Sequence, residues 1–391
     1  MLFLIACMTP SLPDVAPHRK PGAAPHNATA RRFHTLNVDC AGGETYTTIR
    51  DALDDATSGD VISVAPCTYE GFSFGGKSVT IQSTGGPSVT TILATPGKPA
   101  IKVKHGEGAG TVLEGFTITG GGAEDEPGIE VQFSALILRD SIVTGNSGTV
   151  TLYSYYGHVI LDGTTFEDNT PSEGMVIQER RGMTVVKDSI VRCGSATIGY
   201  MTEHGGAFAD GSTFDCPGAT GVEVYHSDGR IQRSVIDGLL VVENENLENE
   251  RAVVEDSVLL GGADLQFVGV SLRNIVSTGT IAMTDGELTL EGGILTGATC
   301  GLSATNSAVT VRSSNFWNNG ADTCGMASPV GTDGTISADP RFTDSAARDF
   351  RLDAGSPCID TGPVGTHYAD PDGSLNDMGA YGGPLSLGGG W

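Results

Sequence analysis

The chain has few cations, few aromatic side chains and no long apolar run, and each shortage removes a class of function. Only 22 of its 391 residues are Lys or Arg against 47 Asp and Glu, a net charge of −25. A phosphate backbone needs clustered cations, so nucleic acid is excluded as a partner. The sequence contains no apolar stretch near the ~20 residues of a membrane-spanning helix. No CxxC or Cys/His spacing of a zinc site is present. The 56 glycines lack the triplet period of collagen and point to many tight turns. With 6% aromatics and 39% hydrophobic residues, the core is large but mostly aliphatic. An acidic surface favours solubility or divalent cations.

The chain opens MLFLIAC and continues into a Pro-rich polar segment. Leu4-Ile5-Ala6-Cys7 resembles the lipobox of bacterial lipoproteins, which implies lipidation at Cys7 and membrane attachment through that anchor alone. No basic region precedes it, and the apolar stretch is shorter than a secretory signal. A start placed too far downstream accounts for this; a chance match at a ragged terminus is the other reading. Residues 1–35 are accordingly expected to be a signal remnant and linker.

From Leu113 onward one short motif recurs: LEGFTITG, LRDSIVTG, LDGTTFED, VKDSIVRC. Its first apolar position falls at Leu113, Leu138, Leu161, Val186, Ala209, Ile231, Val254, Leu272, Leu290 and Val311, in steps of 18 to 25 residues. Five positions on, nine of ten residues are apolar, Ser277 being the exception, and seven on come mostly Gly, Asn, Asp or Cys. Each unit therefore reads as a short strand closed by a turn. Alternating segments such as GIEVQF, TVTLY, MVIQ and GVEVY add a second strand per unit. One unit cannot bury its apolar side alone; stacking at strand spacing, about 4.8 Å, makes a continuous column. The leucine-rich and hexapeptide patterns are absent, so the expected fold is all-β, a right-handed parallel β-helix of about ten or more coils.

Cys193 and Cys216 occupy one motif position in consecutive units. Stacked neighbours lie within the Cα range of a disulfide, so they are expected to bond. Cys300 with Cys324 is also one coil apart, and Cys40 with Cys67 is expected to staple the N-terminal cap; Cys358 is left over as a buried thiol. At the front, TTIRDALDDATSGD places Ile49, Ala52, Leu53 and Ala56 at helical spacing behind a Thr cap, a short lid on the first coil. At the back, the Pro-, Gly- and Asp-rich run from 338 to 384 breaks the repeat, as an irregular cap would. The domain reading is thus 36–78 cap and first coils, 79–337 coils, 338–384 cap, and a tail from 385 to 391.

TIRDALDDATSGDVISVAPCTY, KSVTIQSTGG, LEGFTITGG, DFRLDAGSPCIDTG and DPDGSLNDMGAYGGP resemble the signatures of bacterial secreted β-helix proteins of the pectate-lyase-like superfamily, from about Leu36 to Pro384. The resemblance implies the fold and export, to the periplasm, outer membrane or cell surface. It carries activity weakly, because this fold hosts lyases, hydrolases, epimerases and adhesins.

Chemistry is expected on the outward face of the first strand of each coil, where pectin-cleaving relatives bind sugar chains. With Ile129, Val150, Met175, Ile198 and Val222 pointing in, alternation sends Gln132, Tyr153, Gln178, Met201, Tyr225 and Glu245 out in one line. Ser134, Tyr155, Arg180, Glu203 and Ser227 form a second line. Tyr153, Tyr155, Gln178 and Tyr225 are the expected contacts to an extended acidic polysaccharide. For β-elimination, Glu203 and Glu223 would hold Ca²⁺ while Arg180 or His204 takes the proton. A hydrolase needs a carboxylate pair, and the repeat forces none together. Asp370 and Asp372 in DPDGSLND resemble a calcium loop, against a plain capping turn. The chain is expected to act as a monomer. The competing reading is a non-catalytic, adhesin-like surface protein with solvated tyrosines.

Overall fold

The computed structural model describes residues 33–122, 125–244, 251–365 and 368–386. Cys7, Glu245 and the rest of the acidic run to Glu250 lie outside them. Thirty-three strands join one hydrogen-bonded network, in which neighbours pair parallel. They wind as a solenoid of about 12 turns. A typical coil holds three strands, as in Val150–Tyr155, His158–Asp162 and Thr165–Glu167. Each pairs with its counterpart one coil on, Met175–Arg180, Met183–Lys187 and Ile190–Arg192.

The repeat is the core of this stack. Its ten first positions, Leu113 to Val311, are all buried and pair with one another in unbroken register. The positions five residues on are buried as well, Ser277 included. A hydroxyl ladder runs beside them. Backbone N–H groups of Thr164, Ser189, Ser212 and Ser234 donate to the hydroxyls of Ser189, Ser212, Ser234 and Ser257, each one coil further on. These bonds satisfy amides at the turn, where the strand ladder is interrupted.

Disulfides join Cys40 to Cys67, Cys193 to Cys216 and Cys300 to Cys324, with Cα separations of 6.4, 4.9 and 6.3 Å. Cys358 is a buried free thiol that accepts a bond from Asn315 Nδ2 at 3.1 Å. Helix Ile49–Asp55 buries Ile49, Ala52 and Leu53 over the first coil, and the Thr48 hydroxyl accepts from the Asp51 amide. The opposite end differs from the sequence expectation. Met326 and Val330 pack on the last coils, while the run from 338 to 384 turns back along the flank. There Phe350, Cys358, Met378 and Ala380 cover Val258, Val276 and Ile294. Arg348 pairs with Asp237 at 2.7 Å and Tyr368 donates to Glu291 at 2.9 Å. The physical reason is the apolar stripe that Val258, Val276 and Ile294 present on the outside of this sheet, which needs cover as much as the open end does.

Candidate functional site

Five neighbouring strands carry the expected face: Ile129–Gln132, Val150–Tyr155, Met175–Arg180, Ile198–Glu203 and the end of Thr213–Tyr225. Register makes one outward row of Glu130, Tyr153, Gln178, Met201 and Glu223. A second row is Gln132, Tyr155, Arg180, Glu203 and Tyr225. The expected lines are therefore corrected at both ends. Gln132 and Tyr225 belong with Tyr155 and Arg180, whereas Ser134 and Ser227 are buried in the turn, where their hydroxyls accept the amides of Gly106 and Gly205. Ile129 pairs with Leu152, two residues from the expected Val150. A two-residue slip keeps each side chain on its face but moves it to the next row.

The centre of the face is aromatic and cationic. Tyr153 and Tyr155 lie parallel with ring centroids 6.5 Å apart, and Tyr155 meets Phe133 and Tyr156 edge-on at 5.5 and 4.8 Å. Arg180 Nε contacts Glu203 Oε2 at 2.7 Å. Burial raises the Tyr153 phenol, an effect Arg180 opposes. Gln178, an expected ligand contact, is only 5% exposed between Tyr153 and Met201 and is poorly placed to touch one. Directly after the second row, the turn brings out Phe133, Tyr156, Arg181, His204 and His226; of these only His204 was read from sequence. The signal was there, since the five recur at the repeat's own steps in QFS, SYYG, ERRG, EHGG and YHS.

The expected calcium ligands do not converge. Glu203 is engaged by Arg180. Burial, then Glu243, raises the Glu223 carboxyl and disfavours its charged form. Asp370 accepts the Gly383 amide at 2.6 Å and Asp372 the Ser374 amide at 2.9 Å, so both serve turns of the C-terminal flank segment. Among the described residues no three His, Cys, Asp or Glu side chains are grouped to hold an ion. The residues present do not fit calcium as expected.

HGEGAG is a structural turn: Glu107 is buried and accepts the amides of Gly76 and His105 and the Ser134 hydroxyl. An open groove of about 1080 Å³ beside the Cys193–Cys216 bridge is lined by Glu167, Asp168, Asp215 and Asp237. Its cation, Arg192, contacts Glu167 at 2.7 Å. That groove suits an acidic ligand badly.

No family model and no curated protein matches the sequence. Among solved structures, pectate lyase Pel9A superposes with a TM-score of 0.54 at 14% identity, over 90% of this chain and 96% of that one. A surface adhesin of Streptococcus pneumoniae, PfbA, gives 0.46 at 11% identity over 69% and 86%. A mannuronic acid specific family 6 lyase from human gut microbiota gives 0.46 at 9% identity over 79% and 92%. The chain therefore has the right-handed parallel β-helix fold seen in pectate lyase, a likeness of fold.

Proposed function

We propose that the chain is an exported β-helix protein that recognises an extended acidic polysaccharide on the face around Tyr153, Tyr155 and Arg180. The observation that carries this is the ordered group of four aromatic rings beside Arg180 and Arg181, in a chain with few cations elsewhere. Aromatic faces cover the apolar faces of sugar rings, and guanidinium forks take carboxylates. Disulfides belong to an oxidising compartment outside the cytoplasm, where such polymers occur. A lipid anchor at Cys7 and an envelope location are part of the same proposal, and a pectate lyase is among the proteins that share the fold.

Binding is supported better than cleavage. Elimination asks Arg180 to take a proton from the sugar, yet its Nε is already engaged by Glu203 Oε2 at 2.7 Å. The test is a glycan array with and without Ca²⁺, followed by ultraviolet absorbance for unsaturated uronate. Retention of uronate polymers in both conditions, without new absorbance, is the expected result. Silence on every acidic glycan would leave the adhesin-like, shape-only reading ahead.

A further inference from the structure

The turn edge beside this face breaks the molecule's own rule for turns. Phe133, Tyr156, Arg181, His204 and His226 all sit in the left-handed region, with φ of 50, 49, 61, 55 and 48°. That region favours Gly, Asn and Asp, and bulky side chains are strained there. Further along the same edge Phe267 is left-handed as well, at 53°, before the position passes to Asp285 and Asn306. The turn at the next corner uses Asp140, Gly163, Asp188 and Gly211, with Arg233 as its one bulky residue across the same five coils. The strain on five consecutive coils is thus a choice of side chain.

What those side chains make is a single ladder along the solenoid axis. Phe133 stacks on Tyr156 at 5.3 Å and 12°. The Arg181 guanidinium lies 5.9 Å from the Tyr156 ring centroid, and its Nη1 donates to the Tyr156 hydroxyl at 3.1 Å. His204 stacks on His226 at 5.0 Å and 9°. Phe133 and Tyr156 are 61% and 41% exposed. No carboxylate interrupts the five positions.

We infer that this ladder is a binding strip for an extended polyuronate lying parallel to the solenoid axis, roughly one sugar unit per coil. A strip one side chain wide, repeating every ~4.8 Å, matches a polymer of similar repeat and not a single globular partner. Because Phe133 and Tyr156 turn their faces to each other, they offer the strip exposed ring edges at one end, and Arg181 supplies a carboxylate contact at mid-strip. This rests on the glycan reading above and adds the axis, the length and the residues that set them.

Oligogalacturonates and oligomannuronates from dimer to octamer are titrated into the wild type and into Phe133→Asn and Tyr156→Asn, with a thermal melt of each. Asn tolerates the left-handed turn. For one of the two series, affinity rises with length to about the pentamer and then levels off. Each variant loses roughly three- to tenfold for the pentamer, with a melting temperature unchanged or higher. Unaltered affinity in both variants overturns the ladder and leaves the sheet-face reading standing. A melting temperature that falls along with the affinity marks the ladder as structural and also overturns it. Failure of every oligomer to bind the wild type removes both readings.

Discussion

At the scale of single residues, the buried carboxyls have the sharpest consequences. Glu179 points inward between Ser154 and Thr202 in the stack and is fully buried. Thr202 donates to it at 2.8 Å and the Gly182 amide donates to its other oxygen. Burial outweighs both bonds and raises its pKa to about 7. Asp256, also buried, is raised to about 7 by the same cause against a bond from Asn274. Free Glu and Asp titrate near 4.3 and 3.9. Below about pH 4 both folded and unfolded chains hold these protons. Between there and about pH 7 only the folded chain does, so their stability contribution is present in acid and lost as pH rises. Glu179→Gln keeps a donor for Thr202 and an acceptor for Gly182. In urea titrations at about pH 5 and about pH 7, the wild type should lose roughly 2 kcal/mol more than this variant on going to neutral pH. Equal pH slopes would show that Glu179 stays ionised in the folded chain.

Elements are held by devices that recur once per coil, so their removal can be tested one coil at a time. Ser212→Ala deprives the Ser189 amide of its acceptor, and a loss of about 1–3 kcal/mol is expected by chemical denaturation. Replacing Cys193 and Cys216 together by Ala should lower stability by about 2–4 kcal/mol. Leu161→Ala, fully buried at the centre of the column, should cost about 2–5 kcal/mol. How far each element could be read in advance follows from the same periodicity. The buried column was legible from Leu113 to Val311 because an apolar residue returned at every step, and stacking that column placed Cys193 beside Cys216. The outward rows were half legible: parity is fixed by alternation, but Gln132 and Tyr225 fell into the wrong line because coil lengths vary and a slip of two leaves parity intact. The serine ladder was present in the motif, at Ser141, Ser189 and Ser212, and went unread because only apolar and turn positions were aligned. Positive φ at Phe133 or Tyr156 has no sequence signature, since those residue types disfavour it.

For the whole molecule, the net charge of −25 sets a constraint on any acidic ligand. At low ionic strength the field of the whole chain reaches about 30 Å and repels a polyanion; near 0.15 M it reaches about 8 Å, which leaves the contacts of Arg180 and Arg181 in control. Affinity for a uronate polymer should therefore be weak in dilute buffer, rise towards physiological salt, and fall again as the guanidinium contacts are screened. The most direct measurement is calorimetric titration of a galacturonate or mannuronate oligomer into the wild type and into Tyr153→Ala and Arg180→Ala at physiological salt. Saturable binding to the wild type, weakened about tenfold or more in each folded variant, is the expected result. Wild-type affinity undiminished in both variants would contradict recognition by this face.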